Sequence, residues 1–345
     1  MNSPFPHPAA PLLPRRRLLS ATGALGLGAL LTACGDDTKT DGDAAAPGKG
    51  WSFKDDRGRT AKADRTPRRI VAYIGSAAAL HDFGIEVTGV FGPTKLKNGE
   101  PDVQAGSVDV DKATVIGNAW GEFNVEKYAS LQPDLLITNM NIPPALWYVP
   151  EESANKIEAL APTIGILSAK TSLLTAVGRY AELAASLGAD LKAKNVTDAK
   201  ARFEAASEEL RRAAKAKPGL KVMAVAARQD LCGVGAPDDF ADLRYYKQLG
   251  VEFVEPAEPA AGGFYEDLSW ENIGRYGADL ILVDKRTSNL QPVDLIKDKP
   301  TWRSLPAVRT EQVASWHNEA HFSHAGFIPP LEALTQAIQN AKRVR

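Results

Sequence analysis

The sequence predicts an α/β protein of two lobes with parallel sheets, joined by a single long α-helix, with a ligand cleft between the lobes. Three observations predict this. One phrase is written twice: VEKYASLQPDLLIT at 125–138 and WENIGRYGADLILV at 270–283 each place a glutamate (Glu126, Glu271) eight residues before an aspartate (Asp134, Asp279) that opens an apolar run. Each copy lies in a segment that alternates short apolar strands with helices, the pattern of a parallel sheet. Between the copies Leu173, Val177, Tyr180, Ala184 and Leu187 recur at helical spacing, with Ser172 before and Gly188 after. A helix of that length, at 1.5 Å per residue, reaches about 24 Å, enough to run from one lobe to another.

The N-terminal segment is set aside before the fold is read. Arg15-Arg16-Arg17 precedes the apolar run LLSATGALGLGALLTA and then Cys34. The run is short and glycine-rich for a spanning helix, which needs about 20 apolar residues. Leu31-Thr32-Ala33-Cys34 resembles the lipobox of bacterial lipoproteins, and Arg15–Leu19 resembles a twin-arginine export signal. The resemblance implies that 1–33 is a lipoprotein signal peptide and that Cys34 becomes the acylated N-terminus. The chain would then be anchored to the outer face of the cytoplasmic membrane. Residues 34–50 hold almost no large apolar side chain and read as a flexible tether.

Removing 1–33 removes three arginines and no acid, leaving 38 basic and 42 acidic side chains, a net charge of −4. That argues against a nucleic-acid partner, which calls for a basic excess. With Cys34 acylated, Cys232 has no partner for a disulfide, and no cysteine pair suggests zinc. Cys232 reads as a small buried residue.

The first lobe spans 51–170. Arg69–Tyr73 is a buried strand, Ser76 is placed to cap a helix over Ala77–Phe83, and Val87–Phe91 is the next strand. Asn124 caps a short helix over Val125–Leu131, Pro133 stops it, and Leu135–Thr138 is a strand. A helix at 151–160 and a strand at Thr163–Leu167 complete the lobe. The connecting helix takes 171–189, and the second lobe takes 190–345. Ala199, Phe203, Ala206, Leu210 and Ala213 mark one face of a helix that Lys217-Pro218-Gly219 ends. The pattern then restarts with strands at Lys221–Ala226, Leu280–Asp284 and Gln312–Trp316 and a closing helix at Pro330–Arg343. Gln248–Phe253 echoes Asp82–Val87.

At this point the chain resembles the substrate-binding lipoproteins of ABC importers for ferric siderophores and cobalamin, the helical-backbone class of periplasmic binding proteins. The resemblance covers nearly all of 51–343. It rests on Phe53-Lys-Asp-Asp-Arg-Gly-Arg59, Pro67-Arg-Arg-Ile-Val71, Phe83-Gly-Ile-Glu-Val-Thr-Gly-Val90 and the Glu126 phrase with Pro133-Asp134, in that order. It implies two Rossmann-like lobes, no catalysis, no cofactor, a monomer, and a ferric siderophore as ligand. It also implies that Glu126 and Glu271 dock on arginines of a permease dimer, where paired charges fix register and speed encounter. The same glutamates sit where a helix dipole favours acids.

In parallel α/β lobes, ligands bind outside the carboxyl ends of the strands. That rule selects Tyr73, Trp120, Asn139, Trp147 and Tyr148 in the first lobe, and Arg228, Tyr265, Arg286, Trp316, His317 and His321 in the second. Trp120 and Asn139 also match ligand-facing positions of the family's cobalamin binders, but the second is not aromatic here, which weakens cobalamin. Flat aromatic area suits a bulky amphipathic ligand. Arg228 and Arg286 each follow a buried strand, where a guanidinium fork could meet ligand oxygens or pair with Asp230 or Asp284. Iron would be held by siderophore oxygens, not by the protein. Trp51, Trp270 and Trp302 read as structural, and His81 as a packed core residue.

His317, His321 and His324 would face one way on a continuous helix and could hold zinc. The order His-Asn-Glu-Ala-His is not that of a metalloprotease, and Pro329-Pro330 interrupts a helix, so a loop lining the cleft is the preferred reading. A ferric siderophore, hydroxamate type favoured, is the leading ligand. Haem, cobalamin or a free metal ion keep the fold and change the ligand. A lipid-anchored enzyme lacks any GxSxG, Walker A loop or GxGxxG after a strand. A lipoprotein that recognises another protein is the remaining class.

Overall fold

The computed structural model describes residues 50–96, 98–260 and 262–345. The expected signal peptide, Cys34 and all of the tether except Gly50 lie outside the described residues. A hairpin of β1 (Trp51–Lys54) and β2 (Thr60–Ala63) comes first, with alternate side chains of β1 buried. Its turn is a clasp. The Asp55 carboxylate accepts from the backbone of Arg57, Arg59 and Gly165, and the Asp56 carboxylate accepts from the backbone of Leu167. The Phe53–Arg59 segment therefore ties the hairpin to the edge of the first sheet.

The first lobe alternates as expected: β3 (Ile70–Tyr73), α1 (Ile74–Asp82), β4 (Gly89–Phe91), β5 (Thr114–Gly117), α2 (Val125–Ser130), β6 (Leu135–Met140), α3 (Glu151–Leu160) and β7 (Thr163–Leu167). The sheet runs β5-β4-β3-β6-β7 with every pairing parallel. β3 and β6 are buried throughout, the mark of a strand covered on both faces. Asn124 caps α2, its side chain accepting from Lys127 N. Ser76 caps nothing. α1 begins directly after Tyr73, and the Ser76 hydroxyl lies inside it, 2.6 Å from the Tyr180 hydroxyl. His81 is half-buried rather than core, with its ring 3.0 Å from Glu86.

Two helices lie between the sheets, the expected connecting helix and the helix expected over 199–213. α4 (Leu173–Ser186) is the rod expected at 172–187, ended at Gly188 with φ +102°. It packs on α1, β1 and β7. The longer α5 (Lys194–Ala216) follows, 23 residues and thus about 35 Å. Its Phe203, Ala206 and Leu210 are buried, and it packs on the last helix of the chain.

The second lobe contains β8 (Lys221–Ala227), β9 (Leu231–Gly235), α6 (Ala241–Gln248), β10 (Glu252–Phe253), β11 (Tyr265–Ser269), β12 (Leu280–Asp284), α7 (Pro292–Asp298), α8 (Pro300–Ser304), α9 (Pro306–Arg309), β13 (Val313–Trp316) and α10 (His324–Asn340). Its sheet runs β11-β9-β8-β12-β13, with β10 beside the start of β8. Here the expectation of a parallel sheet is corrected. β8, β10, β12 and β13 pair in parallel, but β9 runs antiparallel to both of its neighbours, β8 and β11. The chain reverses within Arg228–Asp230, where Arg228 N donates to Leu231 O at 2.9 Å, and so short a turn can only return antiparallel.

The aspartates of the repeated phrase do matching work. Asp134 N donates to Arg69 O and Asp279 N to Lys221 O, both at 2.8 Å. Each carboxylate accepts in return, from the backbone of Arg68 and Arg69 in one lobe and of Lys221 in the other. In both lobes the aspartate clamps the entry to a central strand. The core of the second lobe includes Trp270, Trp302 and Cys232, and burial pushes the Cys232 thiol up to about 12.

Candidate ligand-binding site

The first lobe offers aromatic rings at its strand ends. Tyr73, the last residue of β3, stacks on Tyr148, with centroids 5.4 Å apart. Trp120 stands edge-on to both Trp147 and Tyr148 at 5.0 Å. Trp120 is the outer ring, 45% exposed, while Trp147 is buried. Four residues selected from the sequence therefore form one platform. Tyr148 reaches it from a backbone with φ +59°.

The second lobe opposes this platform with a charged network. Arg286 lies two residues beyond β12. Its Nε and Nη2 donate to Asp284 at 2.9 and 2.6 Å, and Nη2 also donates to the Tyr265 hydroxyl at 3.2 Å. Asn318 Nδ2 donates to the same hydroxyl at 3.0 Å. Burial by itself would weaken the Arg286 charge, but Asp284 and Glu319 outweigh it and hold its pKa well above the ordinary value. Arg228 lies to one side on the β8–β9 turn. It forks onto Asp267 and stands 5.7 Å over the Tyr265 ring.

Glu319 joins the two walls. Its Oε1 accepts from Arg286 Nη1 at 2.6 Å, while Oε2 accepts from the Tyr73 hydroxyl at 2.8 Å and from Trp147 Nε1 at 3.3 Å. Burial, then the Glu319 charge, raises the Tyr73 pKa, so the phenol keeps its proton and donates. A second bridge pairs His321 Nε2 with Asp82 Oδ2 at 2.8 Å. Burial tends to raise the Asp82 pKa, but hydrogen bonds from His321 and Ser323 bring it below the ordinary carboxylate value. The lobes approach closely here. A Cβ on Gly106, which has φ +54°, would come within 2.7 Å of the His321 ring.

Beside these bridges lies a cavity of about 320 Å³, lined by Asp82, Val103 and Gln104 of the first lobe and by Lys285, Arg286, His317, Glu319 and His321 of the second. That volume is within the range of small-molecule sites, about 300–1,000 Å³. Burial lowers the His317 pKa below the ordinary imidazole value.

Two selected residues fall outside the cleft. Asn139 lies within β6 rather than beyond its end, and its Oδ1 accepts from the Tyr180 hydroxyl in the core. Trp316 is buried at the end of β13, with its indole donating to Asp242 Oδ2 at 2.7 Å. The three histidines do not share a helix face. His317 and His321 are in the loop before α10, and His324 is the first residue of that helix, with its ring against Phe203. Among the described residues no cluster of histidine, cysteine and carboxylate is arranged to hold a metal ion. Glu126 and Glu271 are exposed, in the first turns of α2 and of the 3₁₀ segment Trp270–Arg275. Sequence reasoning missed Glu319, Asp82 and Gln104. Only the first carried a signal, as the single acid in the selected loop Trp316–His321.

Two α/β lobes in series with long helices, meeting around a cavity that both line, define a bilobal binding protein. The chain belongs to the periplasmic binding protein family, whose model matches residues 71–320. That family consists of binding proteins. The chain is 52% identical to DesE, a ferric-siderophore receptor protein from Streptomyces coelicolor. The match covers 86% of this chain and all of that one, with a TM-score of 0.83. The fold is shared with the petrobactin-binding protein YclQ of Bacillus subtilis (17% identity, 85% and 99% coverage, TM-score 0.65). It is shared also with SirA of Staphylococcus aureus, solved with staphyloferrin B (20% identity, 85% and 99% coverage, TM-score 0.58). No curated protein matches the chain.

Proposed function

We propose that the protein captures a ferric siderophore outside the cytoplasmic membrane and delivers it to an ABC importer. The observation that carries this reading is the cavity that both lobes line, with Arg286 and Glu319 in its wall and the Tyr73–Trp120–Trp147–Tyr148 platform joined to it through Glu319. The likeness to DesE over its whole length supports it. Rings accept the apolar arms of a bulky chelate, and the polar groups orient its oxygens. Iron is cargo, coordinated by the siderophore. A hydroxamate ligand fits best, because both arginines near the cleft already pair with acids. In this reading Cys34 carries a lipid anchor, Glu126 and Glu271 contact the two permease subunits, and the protein acts as a monomer.

Titration of tryptophan fluorescence tests the ligand class. A ferric trihydroxamate should quench saturably. Saturable quenching by haem, cobalamin or zinc, with none by ferric trihydroxamates or tris-catecholates, would overturn the assignment.

A further inference from the structure

We infer that Glu319 sets ligand specificity, as a built-in carboxylate that selects against ferric complexes of net negative charge. The inference rests on the siderophore reading above and names the charge class of that same ligand. Arginine at a cleft is ordinarily the group that receives an anion. Here Arg286 gives Nε and Nη2 to Asp284 and Tyr265, and Nη1 to Glu319. The Glu319 carboxylate thus sits where an anionic ligand would bind, held by donors from both lobes: Arg286, Tyr73 and Trp147. An incoming anion has to displace it and then face it.

The charge balance points the same way. Around the cavity Arg286 and Lys285 are set against Glu319 and Asp82, the latter paired with His321, and Asp284 backs Arg286; Lys285 is exposed, so water screens its charge. Asp284 is wholly buried and Glu319 nearly so, where charge interactions act at closer to full strength. Glu319 holds φ +65°, in the left-handed region that asparagine adopts more readily.

The test uses three versions of one linear ferric trihydroxamate: the free terminal ammonium, the acetylated end and the succinylated end. Their charges are positive, zero and negative, and their iron chelate is the same. Affinities come from tryptophan quenching at low ionic strength. The wild-type protein should bind the ammonium form at least about tenfold more tightly than the succinylated form. Glu319→Gln should cut that ratio below about threefold, mainly by tightening the succinylated complex. Glu319→Asn, which suits the left-handed backbone, should do the same and serves if the first variant does not fold. Equal affinities in the wild type, or an unchanged ratio in a folded variant, overturn the inference and leave the siderophore reading standing. No quenching by any of the three overturns both.

Discussion

The phenol of Tyr73, buried at the tip of β3 in the first lobe, donates a 2.8 Å hydrogen bond to Glu319 of the second lobe. The bond ties a core strand to a loop on the far side of the cleft. Tyr73→Phe keeps the ring against Tyr148 and removes only the hydroxyl. It should lower stability by about 1 kcal/mol, measured by chemical denaturation. The larger losses that follow truncation of a buried ring are not expected, since no ring volume is removed.

Arg286→Ala should be strongly destabilising. The change leaves the wholly buried Asp284 carboxylate without its guanidinium and Glu319 without its shortest partner. Removing one member of such a pair costs about 3–5 kcal/mol. A variant as stable as the wild type in denaturant titration would show that Asn318 Nδ2 and the backbone amide at position 286 alone satisfy the acid. Loss of ligand binding in this variant therefore says little about direct contact unless folding is measured alongside.

Trp120→Ala separates binding from folding better. The ring is 45% exposed and packs only edge-on against its neighbours. Its removal should weaken ferric trihydroxamate binding about tenfold or more and leave the melting temperature nearly unchanged. Unaltered affinity in the fluorescence titration would take the platform's outer ring out of the site.

The double change Glu126→Ala and Glu271→Ala should leave ligand affinity as it is and abolish iron uptake by cells that depend on this protein. Both side chains are exposed, and neither lines the cavity. Unchanged uptake would reduce both to helix-start acids.

Asp242 makes stability depend on pH. Burial raises its pKa to about 6, partly countered by the Trp316 indole. The folded protein therefore keeps this proton up to about pH 6, while the unfolded chain releases it near pH 4. Between those values the folded state binds more protons, so stability falls as pH rises, by up to roughly 3 kcal/mol in all. Relative to Asp242→Asn, the wild type should gain melting temperature as pH drops from 6 to 4. A constant difference across that window would contradict the raised pKa.

Most of the architecture was legible because burial writes itself into short apolar runs. β7 and β12 fall at the bounds read from sequence, and α4 within a residue of them. The second sheet's antiparallel edge was not legible, since Lys221–Ala227 and Leu231–Gly235 look alike whichever way the second runs. Asn139 and Trp316 misled for a related reason: a strand's last turn inward is set by its register, which periodicity leaves open by a residue or two. The aromatic platform could be read because large rings after strand ends have few other uses. Glu319 could not, because its partners Tyr73 and Trp147 lie more than a hundred residues away in sequence and its role exists only once the lobes meet.

The sealed thiol of Cys232 has a practical consequence. Wholly buried in the second lobe's core and held protonated, it is shut off from alkylating reagents while the lobe is intact. Its modification rate is thus a native clock for opening of that lobe alone, readable by mass without adding a label, and slowing of that clock on loading would time how firmly the cargo locks its half of the shell.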